Sequence, residues 1–294
     1  MFFVSKNPRV KIVATLCVKD EADIIAANIE HHIEQGISQF LITDNASTDD
    51  TRNIVGKYKE VVEIFDSADP THNQEKHVTK MAREACKLDP DWILHIDADE
   101  FAIGLDYLNH VDVFSITLFQ GWHHLATELD SPDWMESMKW YIDFKELRKF
   151  TDKTSKIAHR PDKEIIISHG NHYIVNLDGR SNITTDYIQA HHFPLRTYKQ
   201  LESKATNGYS GLVSRGQLSE RWLYWNKLFK KGILFNEYEN NINTFKDMVN
   251  KGKIDSRAWK LFEFNSGDEE LAKQFKEIQS SVKMELKSWN PITK

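Results

Sequence analysis

The sequence predicts an α/β chain, a mostly parallel sheet with helices on both faces, followed by a helical C-terminal extension. Three observations carry this reading. Over residues 10–120, short β-branched apolar runs alternate with segments whose apolar residues recur at helical spacing. Polar clusters follow three of those runs, where the strands of a parallel sheet end. From Tyr198 onward the pattern turns helical and the charge changes sign.

Val10–Val18 (VKIVATLCV) reads as a buried strand, ended by Lys19-Asp20-Glu21. Ala22, Ile25, Ile29 and Ile33 then mark a helix, with Gly36 as its stop. Phe40–Thr43 is a second strand, closed by Asp44-Asn45. Ser47-Thr48-Asp49-Asp50 carries the S-x-x-D capping pattern and opens a helix through Tyr58. Val61–Phe65 is a third strand and His72–Lys87 a helix. Trp92–Ile96 is a fourth strand that runs into Asp97-Ala98-Asp99-Glu100, and Val113–Phe119 is a fifth. Residues 120–195 are less regular, with strands at Ile165–Ile167 and Ile188–Phe193. Helices are expected around 219–231, 243–251 and 268–288, after a break near 208–216. The change of pattern places a domain boundary at 195, giving domains 1–195 and 196–294.

The composition excludes several classes. With 294 residues, 40% hydrophobic and 28% charged, the chain is ordinary globular protein. Twelve Gly and seven Pro are too few for collagen or low-complexity sequence. No apolar run approaches the ~20 residues of a membrane span. The N-terminus lacks a basic leader ahead of its apolar residues and does not read as a secretory signal. Cys17 and Cys86 form no disulfide framework, so a reduced, cytoplasmic chain is expected. The net charge of −6 hides an asymmetry. Residues 196–294 hold 18 Lys+Arg against 12 Asp+Glu, a balance of +6, which leaves −12 for residues 1–195. A uniform −6 speaks against nucleic acid over the whole surface, whereas the basic final third is either a solvated helical face or room for an anionic partner.

Asp97-x-Asp99 is the sharpest chemical feature. Asp89-Pro90-Asp91 has the same spacing but follows a helix and contains Pro, so it reads as a turn. At the exit of the fourth strand, alternation would put Asp97 and Asp99 on one side. Two such carboxylates can hold a hard divalent cation, Mg²⁺ or Mn²⁺. The chain has no G-x-G-x-x-G, no G-x-x-x-x-G-K-[ST] and no G-x-S-x-G, against a dinucleotide oxidoreductase, a P-loop NTPase and an α/β-hydrolase. His31-His32 reads as a surface or packing pair, and His123-His124 as packing or sugar contact. Zinc is disfavoured, because H-E-x-x-H and C-x-x-C are missing.

Asp20-Glu21, the run Ile42–Asp49 and His95–Phe101 resemble GT-A glycosyltransferases of the family-2 type. More narrowly, they resemble the bacterial group related to family 92. Lys156–Pro161, Gly170–Tyr173 and His191–Arg196 followed by Lys204 and Gly208 are similar to that group's later motifs. The resemblance implies that Asp20, Glu21 and Asp44 line the base and ribose of a UDP-sugar. It implies that Asp97 and Asp99 hold the diphosphate through Mn²⁺ or Mg²⁺, with His192, then His172, completing the metal shell. Lys76 or Arg83 would face the nucleotide. An inverting transferase needs a carboxylate base, for which Asp130 and Glu128 rank ahead of Asp133. The resemblance further implies transfer of a hexose, galactose in the subgroup, to a glycan or lipid-linked glycan. Bacterial surface polysaccharide or lipopolysaccharide synthesis follows, in the cytoplasm or peripherally at the inner membrane through the basic C-terminal region. Two rivals stand beside this reading. A nucleotidyltransferase would attack phosphorus but needs a basic Gly-rich loop where Lys19-Asp20-Glu21 stands. A non-catalytic carbohydrate-binding protein would not require both Asp97 and Asp99.

Overall fold

A computed structural model describes residues 10–67, 73–143, 155–208, 220–267 and 285–288, with residues 273 and 276 between the last two stretches. The elements run β1 (Ile12–Val18), α1 (Ile25–Glu34), β2 (Ile37–Asp44), α2 (Thr51–Val55), β3 (Val62–Asp66), α3 (Gln74–Ala85), β4 (Trp92–His95), β5 (Glu100–Ile103) and β6 (Ser115–His123). There follow α4 (Trp134–Ser137), β7 (Trp140–Asp143), β8 (Ser155–His159), β9 (Asn182–His192), α5 (Tyr198–Ser203), α6 (Glu220–Lys230), α7 (Leu234–Lys251), α8 (Ala258–Ser266) and β10 (Glu285–Ser288).

The chain is α/β, as its pattern predicts. Eight strands form one sheet in the order β3-β2-β1-β4-β8-β6-β9-β5. β3, β2, β1 and β4 are parallel neighbours, and β8 joins antiparallel to β4 and to β6. β1 shows why both faces carry helices. All seven of its residues are buried. Ile12, Ala14, Leu16 and Val18 pack with Ile25 and Ile29 of α1, whereas Val13 and Cys17 pack with Val78, Met81, Ala82 and Ala85 of α3. Period-2 alternation thus feeds two separate apolar layers.

The described residues divide into two compact units. The first comprises 10–67, 73–120 and 155–190. The second comprises 121–143 and the described residues from 191 onward. In the second unit Leu125, Phe245, Met248, Ala258 and Leu261 form one core cluster. Trp225 is buried and donates its indole N–H to the Phe264 carbonyl at 2.9 Å, a packing role. Gly267 has φ +66°, and a Cβ there would fall 2.1 Å from the Arg221 Cα, so only glycine fits.

Some local expectations change. β4 ends at His95, not Ile96, and a further strand, β5, begins at Glu100. The Ser47–Asp50 pattern builds no capping box. Ser47 is turned toward Asp44, and Asp49 instead accepts from the Thr51 N–H at 2.9 Å. The helix there is only one turn, extended as 3₁₀ to Tyr58. Ile165–Ile167 is not a strand but holds a single bridge, Ile167 to Ile174. The helix expected through 288 gives way at 285–288 to strand, paired antiparallel with β7. The rest of that expected helix lies outside the described residues, 273 and 276 excepted.

Histidines are built into the core rather than displayed. His95 and His159 meet Nε2 to Nε2 at 2.9 Å, and His95 Nδ1 lies 2.6 Å from the Thr15 hydroxyl. His31 Nε2 pairs with the Ala102 carbonyl at 2.8 Å, and the Ala102 N–H donates to His32 Nε2 at 3.0 Å. His124 Nε2 and His191 Nδ1 lie 2.8 Å apart. Burial, reinforced by the neighbouring His31, lowers His32 to about 3. Burial lowers His159 to about 4. These groups are neutral when folded but titrate near ~6.5 when unfolded. Their folded values are depressed, so their stabilisation is complete above pH ~6.5 and is lost as pH falls toward ~4. The thermal midpoint is therefore expected to drop between pH 7.5 and pH 5. His159→Gln should flatten that dependence, and calorimetry at several pH values checks it.

Candidate active site

The carboxyl ends of β1 and β2 are neighbours because the two strands pair in parallel. Their loops are laced together. Asp20 Oδ1 accepts from the Thr48 N–H at 2.6 Å, and the Asp20 N–H donates to the Ser47 hydroxyl at 3.1 Å. The Glu21 N–H donates to Thr51 Oγ1 at 2.8 Å, and the Ala22 N–H to Asp49 Oδ2 at 3.1 Å. Asp44 is buried, and its Oδ1 accepts from the Ser47 N–H and hydroxyl at 3.1 and 2.6 Å. The structure thus brings Asp20, Glu21 and Asp44 to one pair of strand ends. One oxygen of Asp20 and one of Asp44 hold the loops themselves.

The next parallel strand, β4, delivers residues 97–100. Here the strand-alternation argument fails, because β4 stops two residues before Asp97. Asp97 to Glu100 instead form a turn, closed by the Glu100 N–H to the Asp97 carbonyl at 3.1 Å. The Asp97 side chain is 28% exposed, whereas Asp99 and Glu100 are buried. Asp99 and Glu100 each have a carboxylate oxygen within 4.8 Å of the other's. From below, Asn28 of α1 donates its amide to the carbonyls of Ala98 at 2.9 Å and Glu100 at 2.7 Å.

Lys156 of β8 is the counter-charge. It is 1% exposed and pairs with Asp97 Oδ2 at 2.6 Å and Glu100 Oε1 at 3.0 Å. A third contact goes to the Gly170 carbonyl at 2.8 Å. The other Asp97 oxygen accepts from Gln74 Nε2 at 2.6 Å and Asn171 Nδ2 at 3.1 Å. Burial, with Asp97 and Asp99 adding repulsion, raises Glu100 above the usual carboxylate range. Burial alone would lower Lys156, but Asp97 and Glu100 outweigh it and hold the ammonium charged. Three carboxylates crowd this turn, and one ammonium pairs with two of them.

A second observation points to a missing partner. Asn171 is fully buried, with its amide nitrogen fixed on Asp97. Its Oδ1 is enclosed and has no hydrogen-bond partner among the described residues. An orphaned buried acceptor costs about 1–3 kcal/mol unless something fills it. Asn171 also stands at φ +62°, a strained backbone region. An oxygen acceptor beside crowded carboxylates is the donor set that a hard divalent cation prefers.

The remaining expected residues belong to other elements. His172 is half-buried, and its Nδ1 lies 2.7 Å from the Ser155 carbonyl, which leaves the Nε2 lone pair available. Burial and the nearby Lys156 lower it to about 4. His192 ends β9 in the second unit, buried, with its carbonyl accepting from the His124 N–H at 2.9 Å. Lys76 is exposed on α3. Arg83 donates to the carbonyls of Ile165 at 3.0 Å and Glu164 at 3.3 Å, stapling a loop. In the second unit Asp130 Oδ1 accepts from the Tyr198 N–H at 2.6 Å, and Asp133 caps α4 through the Glu136 N–H at 3.0 Å. Glu128 is exposed. The later motif residues build scaffold: Arg196 donates to the Phe193 carbonyl and Lys204 to the Pro194 carbonyl, both at 2.8 Å. Sequence reasoning gave no role to Gln74, Glu100, Lys156 or Asn171. The one signal was Lys156 beside the apolar pair Ile157-Ala158.

No family model matches the chain, and no curated protein matches it. Solved structures do. S. aureus TarS 1-349 is 11% identical, with a TM-score of 0.41, over 92% of this chain and 91% of that one. Glucosyl-3-phosphoglycerate synthase from Mycobacterium tuberculosis, in complex with Mn2+, UDP and glucosyl-3-phosphoglycerate, is 14% identical. Its TM-score is 0.38, over 71% of this chain and 81% of that one. Likeness of this size bears on neither substrate nor residue roles.

Gly170 offers a test of the site's packing. Its φ is +75°, and a Cβ would fall 2.3 Å from His172 Nε2. Gly170→Ala should destabilise the fold by ~1–3 kcal/mol, through strain and displacement of the imidazole. The midpoint of urea unfolding measures it.

Proposed function

We propose that this chain is a metal-dependent glycosyltransferase of the GT-A type, moving a hexose from a UDP-sugar to a glycan hydroxyl with inversion. The observation that carries the reading is the 97–100 turn at the end of a parallel strand, with its crowded carboxylates and the orphaned amide oxygen of Asn171. Ligands of open α/β sheets sit at such strand ends. Asp97 and Asp99 are assigned to the diphosphate and its cation, Mn²⁺ or Mg²⁺. His192, then His172, is assigned as the imidazole. Mg²⁺ and its like are bound by one or two carboxylates plus substrate phosphates, so a sparse protein shell suffices. The cation, when bound, would offset charge growing on the departing nucleoside diphosphate.

The chain's own groups do the rest. Asp20, Glu21 and Asp44 accept hydrogen bonds from base and ribose; carboxylates are acceptors only, which matches hydroxyl and ring N–H donors. The acceptor hydroxyl loses its proton to a carboxylate, assigned to Asp130 or Glu128 ahead of Asp133. Galactose is the first sugar to try, and a bacterial surface polysaccharide or lipopolysaccharide precursor the first acceptor. The basic final third, +6 over residues 196–294, is assigned to an anionic acceptor or the cytoplasmic membrane surface. No helix among the described residues is long and apolar enough to cross a membrane.

Incubation with a panel of UDP-hexoses and Mn²⁺ should release UDP, and a chelator should stop it. Asp99→Asn should lower turnover at least ~100-fold with the fold intact by circular dichroism. Release of pyrophosphate from UTP and a sugar phosphate, without UDP release from any UDP-hexose, would establish nucleotidyl transfer instead. Vesicles containing anionic lipid should retain the full chain at low salt and release it at high salt, while neutral vesicles should not retain it. Equal retention on both would remove the membrane assignment.

A further inference from the structure

Tyr238 of α7 is buried, yet its hydroxyl has no hydrogen-bond partner among the described residues. Its ring is packed, with its centroid 6.0 Å from that of Tyr198 and 6.4 Å from that of Phe264. Phenylalanine would fill the same space without enclosing an unpaired polar group. The hydroxyl also lies in the field of Asp130. Burial raises Tyr238 above the usual tyrosine range, Asp130 raises it further, and Arg196 acts the other way. The phenol keeps its proton and stands as a donor near an anion. Asp130 itself is exposed and pinned, with Oδ1 accepting from the Tyr198 N–H at 2.6 Å. A carboxylate has about four acceptor sites, so most of its capacity remains. Beside it the Tyr198 ring meets Phe235 of α7 edge to face, with centroids 4.9 Å apart at 86°. Phe235 is 38% exposed. An exposed carboxylate, an aromatic pair with one open member and an unpaired hydroxyl donor thus gather in the second unit. A pyranose is held by these group types: its C–H face lies on aromatic rings, its hydroxyls donate to carboxylate, and its oxygens accept from a donor.

We propose that Asp130, Tyr198, Phe235 and the Tyr238 hydroxyl form a subsite for a pyranose unit of the acceptor. Asp130 accepts from one sugar hydroxyl, and Tyr238 donates to a neighbouring sugar oxygen that enters beside the carboxylate. The unpaired hydroxyl is then kept for the ligand at a cost to the fold, a trade of stability for binding. The inference rests on the transferase reading above, but the subsite is built wholly from the second unit and binds sugar without donor or metal.

Saturation-transfer NMR on the full-length chain tests it, with methyl β-D-galactopyranoside, methyl β-D-glucopyranoside and methyl α-D-mannopyranoside as probes. At least one should bind, with saturation strongest at its ring C–H protons, and should stay bound when a UDP-hexose is added. Asp130→Asn should weaken its Kd at least ~10-fold. Tyr198→Leu, which keeps the backbone N–H on Asp130, should weaken it at least ~5-fold. Tyr238→Phe should weaken it ~5-fold, the worth of one neutral hydrogen bond. That variant should melt no lower than the unaltered chain, because it removes only an unpaired hydroxyl. Glu239→Gln, at an exposed position of the same helix, should change neither affinity nor melting. A Tyr238→Phe variant that melts lower and binds sugar normally would give the hydroxyl an internal role and overturn the inference. So would displacement of the probe by UDP-hexose, which would make the subsite part of the donor's. Binding of none of the three probes would overturn it as well, while release of UDP in the assay above would still uphold the transferase reading.

Discussion

The buried ammonium of Lys156 is the constraint on which the proposed site depends. An ammonium without exposure is tolerated only when opposite charge and hydrogen-bond acceptors surround it. Asp97, Glu100 and the Gly170 carbonyl meet that requirement. In return, the turn after β4 is fixed to β8 and to the turn at His169–Asn171. Asn28 completes the arrangement from α1 by donating to the Ala98 and Glu100 carbonyls. A short turn bearing three acidic groups is thereby held in one conformation before any ligand arrives, the preorganisation that charge stabilisation needs.

The parallel half of the sheet was legible in the sequence because its signals are local. β1 is buried along its length and almost wholly apolar since both its faces are covered, and α1 and α3 carry ordinary helical periodicity. Expectations failed where a neighbour in space outranked one in sequence. Ser47 turns back to Asp44 instead of capping a helix, because the adjoining parallel loop recruits Asp49 and Thr48. Residues 285–288 become strand by pairing with β7, a partner more than a hundred positions away. The candidate site was half legible. Asp97 and Asp99 stand out by their place after a strand, but the turn that carries them replaces the alternation expected. Lys156, Gln74 and Asn171 converge from distant segments, and no local pattern could announce the meeting.

The histidines teach a related lesson. Thirteen of them invite a metal-binding reading. Several are instead neutral, buried hydrogen-bonding groups, pairing with one another or with main-chain atoms. An imidazole that donates from one nitrogen and accepts at the other can bridge two fixed partners, as a longer amide does with less rigidity. His172 and His192 are the imidazoles proposed for the metal, while His31, His32, His95, His124, His159 and His191 serve the framework.

The two imidazoles on α1 carry a consequence for the edge of the sheet. Among the described residues β5 stands last in the sheet order, so its outer rim is an edge there. Open N–H and C=O groups on an edge template pairing with another chain, and proteins blunt such edges with charge, bulges or cover. Here His31 occupies the Ala102 carbonyl and His32 accepts the Ala102 N–H, both from one helix. A helix thus stands in for the missing strand at that residue, and two adjacent histidines, by their packing, take up both backbone groups of one edge position.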